Sequence, residues 1–388
     1  MFAEAALPPL YGSWLRAVTG GPIPAETKAT CNHCAMLPQS DAQSANGFFH
    51  PSTKCCAYQP HLPNFLAGRI LSDDDPSLAA GRRELEQRIS KKIGVTPVWA
   101  GPGGIFGLLY RNVPSVFGRA PELRCHFLSP AGDCGIWKHR PGVCATWFCK
   151  HVRGDTSFQF WRLAAKLMQH VEQDLVLWCA AELKTGLTEL LDGDSATSPH
   201  VSELGGEIDV EHYQRVWGTW AGREPNFYRA CARLVDSLSW EQVQTICGPR
   251  VRILADLLRD AYTHLLSDAI PERLRVKQFQ ITGIEAGNYR VLAYSSLDPL
   301  SMPEALAGAL HYFDGRPTEE ALATILDEQH LRIDPALVRR MVDFGWASVG
   351  PHFARLHQRP TQHAPADPRD QLLDRSADGF HSFPFPRE

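Results

Sequence analysis

The chain has 388 residues, 44% of them hydrophobic and 21% charged, with a formal net charge of -4. That is enough for two or three folded units of roughly 100–200 residues each, and the mild acidity argues against a general polyanion binder, which shows a basic field. No run of about 18 apolar residues occurs, so no transmembrane helix is expected, and the N-terminus lacks the basic and apolar regions of a secretory signal.

A cytoplasmic setting is the resulting expectation, and there thiols stay reduced. Eleven cysteines in such a compartment point to metal ligation or redox chemistry before structural disulfides.

Residues 1–28 are rich in Pro and Gly and read as an N-terminal arm. Cys31 and Cys34 follow in CNHC, and Cys55 and Cys56 in KCC, with the polar loop QSDAQSANG between the pairs. Leu85, Ile89 and Ile93, four apart, predict a short amphipathic helix over 80–93 that stops at Gly94. The stretch VWAGPGGIFGLLY over 98–110 reads as strand, loop and strand rather than a phosphate loop, because no strand–glycine loop–helix unit surrounds it. Residues 125–149 then carry Cys125, Cys134, Cys144 and Cys149 among Pro130, Gly132, Gly135, Pro141 and Gly142. Proline and glycine rule out one long helix, so this is a looped ribbon whose thiols converge.

After Cys149 the period becomes helical. Phe160, Ala164, Leu167, Val171, Leu175 and Trp178 predict a long helix within 157–192. Glu224-Pro225 marks a second helix start, Ser239 with Gln242 a capping box, and Val251, Leu254, Leu258, Tyr262 and Leu265 a fourth helix. Residues 191–207 read as a loop. Cys179, Cys231 and Cys247 lie on these helices and read as small buried apolar residues. From 272 onward, RLRVKQFQI and YRVLAYS read as strands around the turn EAGN. A helix MPEALAGALHYF, a turn at Asp314-Gly315, a helix from Thr318 (a possible cap) to Glu328 and a helix from Pro335 to Phe344 follow. That order suggests a small winged-helix-like module.

The expected fold class is therefore α+β, mainly helical, with a loop-rich cysteine-cluster module packed on a helical layer. The expected boundaries are an arm over 1–28, the cysteine module over 29–156, the helical region over 157–268, the winged-helix-like domain over 270–352 and a disordered tail over 353–388.

Cys31, Cys34, Cys55, Cys56, Cys125, Cys134, Cys144 and Cys149 are the candidate metal ligands. A pair spaced as in CNHC can turn both sulfurs toward one ion. Adjacent Cys55 and Cys56 point apart along an extended backbone, so one ligates while the other packs, or the two serve neighbouring metals. Zinc takes four thiolates in a tetrahedron and an iron–sulfur cluster also takes four. The spacing does not choose between them, and eight thiols suffice for two sites or for one with spares. His33, His50, His61, His126, His139 and His151 border the thiols and read individually as surface or supporting residues. Arg140 can neutralise thiolate charge through hydrogen bonds, and Asp133 and Lys150 could do similar supporting work.

The run GDCGIWKHRPGVC, continued by WFC, resembles the YkgJ-type cysteine-cluster proteins, in which a cysteine is followed by C-x-I-[YW]-x-x-R-P-x-x-C and a last cysteine. Gly135, Ile136, Trp137, Arg140, Pro141 and Cys144 match the pattern. The resemblance spans about 31–151 and implies chelation of zinc or iron by eight cysteines, with no single established reaction. The chain departs from the family's compact CxxCxxCC, since 20 residues separate Cys34 from Cys55. The related flagellin lysine N-methylase group has a cysteine-rich region of similar style, which implies methyl transfer to protein as an alternative; no methyl-donor motif stands out here. LHYFDGRPTEEALATILDE and VRRMVDFGWAS resemble PqqD-type modules, which implies a peptide partner bound by strand addition. Residues 271–350 hold eight Lys and Arg against eleven Asp and Glu, a sign that argues against a DNA-binding, metal-sensing regulator.

Overall fold

The computed structural model describes residues 7–31, 34–38, 49–103, 106, 109, 117–188 and 208–348. These residues form a mainly helical α+β protein. The expected loop over 191–207 and the expected tail over 353–388 lie outside them.

The axis of the larger unit is α5, Gly154–Glu182, which follows α1 (Pro9–Thr19), α2 (Asn64–Ser72), α3 (Ala79–Ser90) and the short α4 (Gly142–Ala145). Phe160, Ala164, Leu167, Val171 and Leu175 on α5 are completely buried, as a stripe repeating every three to four residues requires. After it come α6 (Val210–Trp217), α7 (Glu224–Asp236), α8 (Trp240–Cys247) and α9 (Pro249–Leu266). The capping box of α8 is present in both directions, Gln242 N–H to Ser239 Oγ and Ser239 N–H to Gln242 Oε1.

Two helices in this unit depart from the expectation. The arm over 1–28 contains α1, whose Tyr11, Trp14, Leu15 and Val18 are buried at helical spacing and whose C-terminus closes on Gly20 in the left-handed conformation. The second is α2, which follows directly on Pro63 and is buried nearly all round. Its Gly68 is required by packing, because a Cβ there would stand 1.8 Å from the Tyr228 carbonyl oxygen on α7. Buried Asn64 donates to the carbonyls of Pro97 and Val176 at 2.9 and 3.0 Å, which satisfies its amide.

β1 (Leu62–Pro63) and β2 (Trp99–Ala100) form an antiparallel pair beside α2. The second strand expected before 110 falls largely on residues outside the described set. Cys179 and Cys231 are fully buried, and Cys247 is half-buried on α8.

The C-terminal unit has its own core, built on Leu274, Val291, Met302, Phe313, Ile325, Val338 and Met341. Its strands are β3 (Arg273–Val276), β4 (Gln280–Glu285), β5 (Asn288–Leu292), β6 (Leu300–Pro303), β7 (Asp314–Pro317) and β8 (Ala347–Ser348). They make two antiparallel sheets, ordered β7-β3-β8 and β4-β5-β6. The run RLRVKQFQI is thus two strands in different sheets. Asp314-Gly315, expected as a turn, begins β7 on the edge of β3. The helices are α10 (Glu304–Ala309), α11 (Thr318–Gln329) and α12 (Pro335–Asp343). Thr318 is not a cap: it is the first residue of α11 and its hydroxyl donates to the Pro271 carbonyl at 2.8 Å.

Arg153, at the N-terminus of α5, joins the two units. Its guanidinium grips Asp343 of α12 with two bonds of 3.0 and 2.9 Å and donates to the carbonyls of Leu265 and Ser267 at 2.5 and 2.8 Å. Lys150 to Asp298 and Lys277 to Asp155, both 3.2 Å, add to the seam. Among the described residues no helix is long and apolar enough to cross a membrane.

Candidate metal centre

Three separate stretches of chain bring the eight cysteines together. Residues 50–57 curl into successive turns, with the Lys54 N–H on the His50 carbonyl at 2.9 Å and the Cys56 N–H on the Thr53 carbonyl at 2.9 Å. The Cys56 carbonyl accepts the Cys125 N–H at 2.6 Å, which fastens this segment to the ribbon. Within the ribbon, Leu128 and Cys134 face each other across an antiparallel bridge. Pro141 starts α4 and carries Cys144 on its first turn. The Lys54 ammonium donates to the carbonyls of Cys31 and Gly132 at 2.9 and 3.2 Å, which ties Cys31 to the ribbon. Gly81 of α3 supports the ribbon from behind, since a Cβ there would lie 2.2 Å from the Gly135 carbonyl oxygen.

All eleven cysteines are free thiols. Cys144 is exposed as a residue, yet the packing around its sulfur pushes the thiol above its ordinary value, and neighbouring Cys125, Cys134 and Cys56 push it the same way. Burial also raises Cys125, with Cys56 and Cys134 beside it, and raises Cys134 to about 11, with Cys56 and Cys31 adding. On the other side, burial raises Cys149 to about 12 with Cys34 next to it. Cys149 packs with Cys34 and Cys55 around Met36 and Phe49, whereas Cys125 shares its core with Cys56 and Cys134. Adjacent Cys55 and Cys56 pack in different apolar clusters, yet their thiols are hydrogen-bonded to each other, so they link the two sides. Cys31 is exposed as a residue, yet desolvation of its sulfur raises the thiol, and Cys56 and Cys34 are its neighbours.

Cys56 differs from the rest. A hydrogen bond from Cys55 lowers its pKa, against the effect of burial, and Lys54, Arg140 and Arg124 lower it further.

Arg140 is 5% exposed and lies among Cys134, Cys144, Cys31 and Cys56. Its guanidinium donates to the Trp137 carbonyl at 2.8 Å and the Cys144 carbonyl at 3.3 Å. A buried cation at that place suits a set of thiolates. Lys150 stands beside Cys149 and pairs with Asp298. Asp133 contributes backbone bonds to Ser129.

The described histidines that border the thiols contact other residues. His50 meets the Ser52 hydroxyl at 2.7 Å, His61 the Trp99 ring, His126 Glu84 at 3.2 Å and His139 Asp73 at 2.8 Å; His151 packs on the rings of Phe158 and Tyr294, and its buried Nδ1 has no hydrogen-bond partner among the described residues. His33 lies outside the described residues. Among the described residues no three His, Cys, Asp or Glu side chains stand at metal-site geometry; the thiols are neighbours rather than a formed coordination shell. Their donor chemistry, all sulfur beside a buried cation, fits thiolate-bound zinc or an iron–sulfur cluster.

Sequence reasoning did not find Glu172, half-buried on α5. It accepts the Tyr11 hydroxyl and, at 2.7 Å, the Gly142 N–H, and burial raises it to about 7. A cavity of about 920 Å³ opens beside it, lined by Val143 of α4 and by Thr146, Trp147 and Phe148 between Cys144 and Cys149. Comparison with protein-family models, curated proteins and solved structures finds no match to this chain.

Proposed function

We propose that this is a metal-binding protein that chelates zinc or iron, the iron as an iron–sulfur cluster, through its eight clustered cysteines. The observation that carries the reading is the run of thiol neighbours that joins all eight cysteines, with buried Arg140 among them. Cys56 neighbours Cys125, Cys134 and Cys144, Cys149 neighbours Cys34, and Cys31 and Cys55 each neighbour both Cys56 and Cys34. Four thiolates are what one structural zinc or one iron–sulfur cluster takes, so eight neighbouring thiols suffice for two such centres or for one with spares. Cys56 and Arg140 favour metal loading around Cys56, because a ligand must be deprotonated and its charge offset. The role is accessory or redox. Anaerobic purification followed by metal analysis and an absorption spectrum tests it. Broad visible absorption with iron and inorganic sulfide identifies clusters, colourless protein with zinc identifies thiolate zinc, and metal-free protein rejects the proposal.

A second reading, a peptide- or protein-modifying enzyme, draws on the C-terminal unit. A groove of about 370 Å³ runs beside β6, lined by Leu300, Pro303, Leu337, Phe344 and Trp346, and β6 is an outer strand of its sheet. A free strand edge next to an apolar groove suits an extended peptide, as in a PqqD-type winged-helix module. Retention of a peptide that is lost on Ser301→Pro, which removes an edge N–H, separates this reading from a purely metal-binding role.

A further inference from the structure

The cavity beside the thiol ribbon carries an inference that does not depend on whether the cysteines hold metal. It lies between one face of α5, the 143–148 segment and the first turn of α9. Trp99, Trp147, Phe148 and Phe158 line it while only half-buried, and Ile253 of α9 lines it while 60% exposed. Large apolar side chains left partly open around a concave space of this size are the usual lining of a small-molecule site.

Its charged lining is asymmetric. Arg162 and Lys166 stand one turn apart on the cavity face of α5. The charged neighbour of Lys166 is Arg162, a like charge, and neither forms an ion pair among the described residues. Arg250, also in the lining, has Asp174 as its acidic neighbour. The carboxylate lining the cavity, Glu172, is already held by Tyr11 and Gly142 and sits roughly 9 to 15 Å along the helix from the two cations. Two like charges held together without a counter-ion beside an apolar cleft favour an anion that also has apolar surface to bury.

We propose that this cavity binds an amphipathic organic anion, its apolar body against the aromatic walls and its acidic group on Arg162 and Lys166. Through Trp147 and Phe148 such a ligand would rest on the same segment that carries Cys144 and Cys149.

The test titrates the full-length protein with two fluorescent probes that share one ring system, anilinonaphthalene sulfonate and uncharged phenylnaphthylamine. The sulfonate is expected to bind one site about tenfold more tightly, the scale of a charge-assisted contact. Arg162→Gln with Lys166→Gln should abolish that preference and leave the affinity for the neutral probe unchanged. Ala165→Trp, placed in the lining, should weaken both probes. Equal affinities in the unaltered protein, a preference that survives the double substitution, or binding indifferent to Ala165→Trp in a variant with unchanged circular dichroism would overturn the proposal. The double substitution lies on the cavity rim and keeps the test open if Ala165→Trp does not fold.

Discussion

The guanidinium carbon of Arg140 lies 3.5 Å from the centre of the Trp137 ring, so a cation buried among thiols is held in place by an aromatic face and by two backbone carbonyls. Such stacking fixes the plane of the guanidinium and leaves its remaining edge for sulfur. Arg140→Met should lower metal affinity roughly ten- to hundredfold, the usual scale for residues that support ligands. Arg140→Lys, which keeps the charge and loses the planar fork, should fall between. Competition with a chromogenic chelator measures both; unchanged affinity in Arg140→Met would remove Arg140 from the centre.

Cys144→Ser should lose metal and open the ribbon over 120–150 to protease, because the ribbon has only short regular elements of its own and ligand binding becomes folding free energy, on the order of 10 kcal/mol at structural zinc sites. Cys179→Ala removes a sulfur buried in α5 far from those thiols in the chain and should cost about 1 kcal/mol with metal content intact. The reverse pattern would show that the ligands are misassigned.

Glu172 gives the stability a pH signature. Its folded pKa of about 7 lies above the ordinary 4.5 because of burial, so between those values the folded chain holds a proton that the unfolded chain has released. Stability from this group is therefore full at low pH and falls as pH rises from 4.5 to about 7, by up to about 3 kcal/mol. Glu172→Gln keeps an acceptor for Tyr11 and Gly142 and should flatten that fall. Denaturant titrations at pH values across the window compare the two proteins, and parallel curves would refute the assignment.

Arg153 is 19% and Asp343 11% exposed in their side chains. Removing the cation leaves Asp343 with Arg339 and Thr156 alone and frees two carbonyls. Arg153→Ala should cost about 2–3 kcal/mol at the seam and let the C-terminal unit unfold first, seen as a second calorimetric transition. A single unshifted transition would mean the seam is held elsewhere.

The helices of the larger unit were legible where their apolar stripe was long. Phe160 to Leu175 on α5 and Val251 to Leu265 on α9 repeat over several turns, and the Ser239 and Gln242 cap is local chemistry. α1 was passed over because prolines precede it, although Tyr11, Trp14, Leu15 and Val18 carry a readable stripe. α2 follows Pro63 and is buried on all sides, so it shows no alternation between faces to read. Asp314-Gly315 has turn composition, and pairing with β3 overrides it. The eight cysteines stood out by density, whereas the hydrogen bond between the adjacent Cys55 and Cys56 thiols has no signal in the sequence. Which thiols face which group depends on how three separate segments fold together. The same holds for Glu172 and the cavity, whose walls come from distant segments and carry no local signature.

The central claim is that sulfur from these cysteines binds metal. Metal-edge X-ray absorption on anaerobically purified protein reads the ligand atoms directly. The account predicts a first shell made of sulfur, at about 2.3 Å if the metal is zinc, and its loss in Cys144→Ser for the group it belongs to. A first shell of nitrogen and oxygen alone, or protein that carries no metal at all, would contradict it.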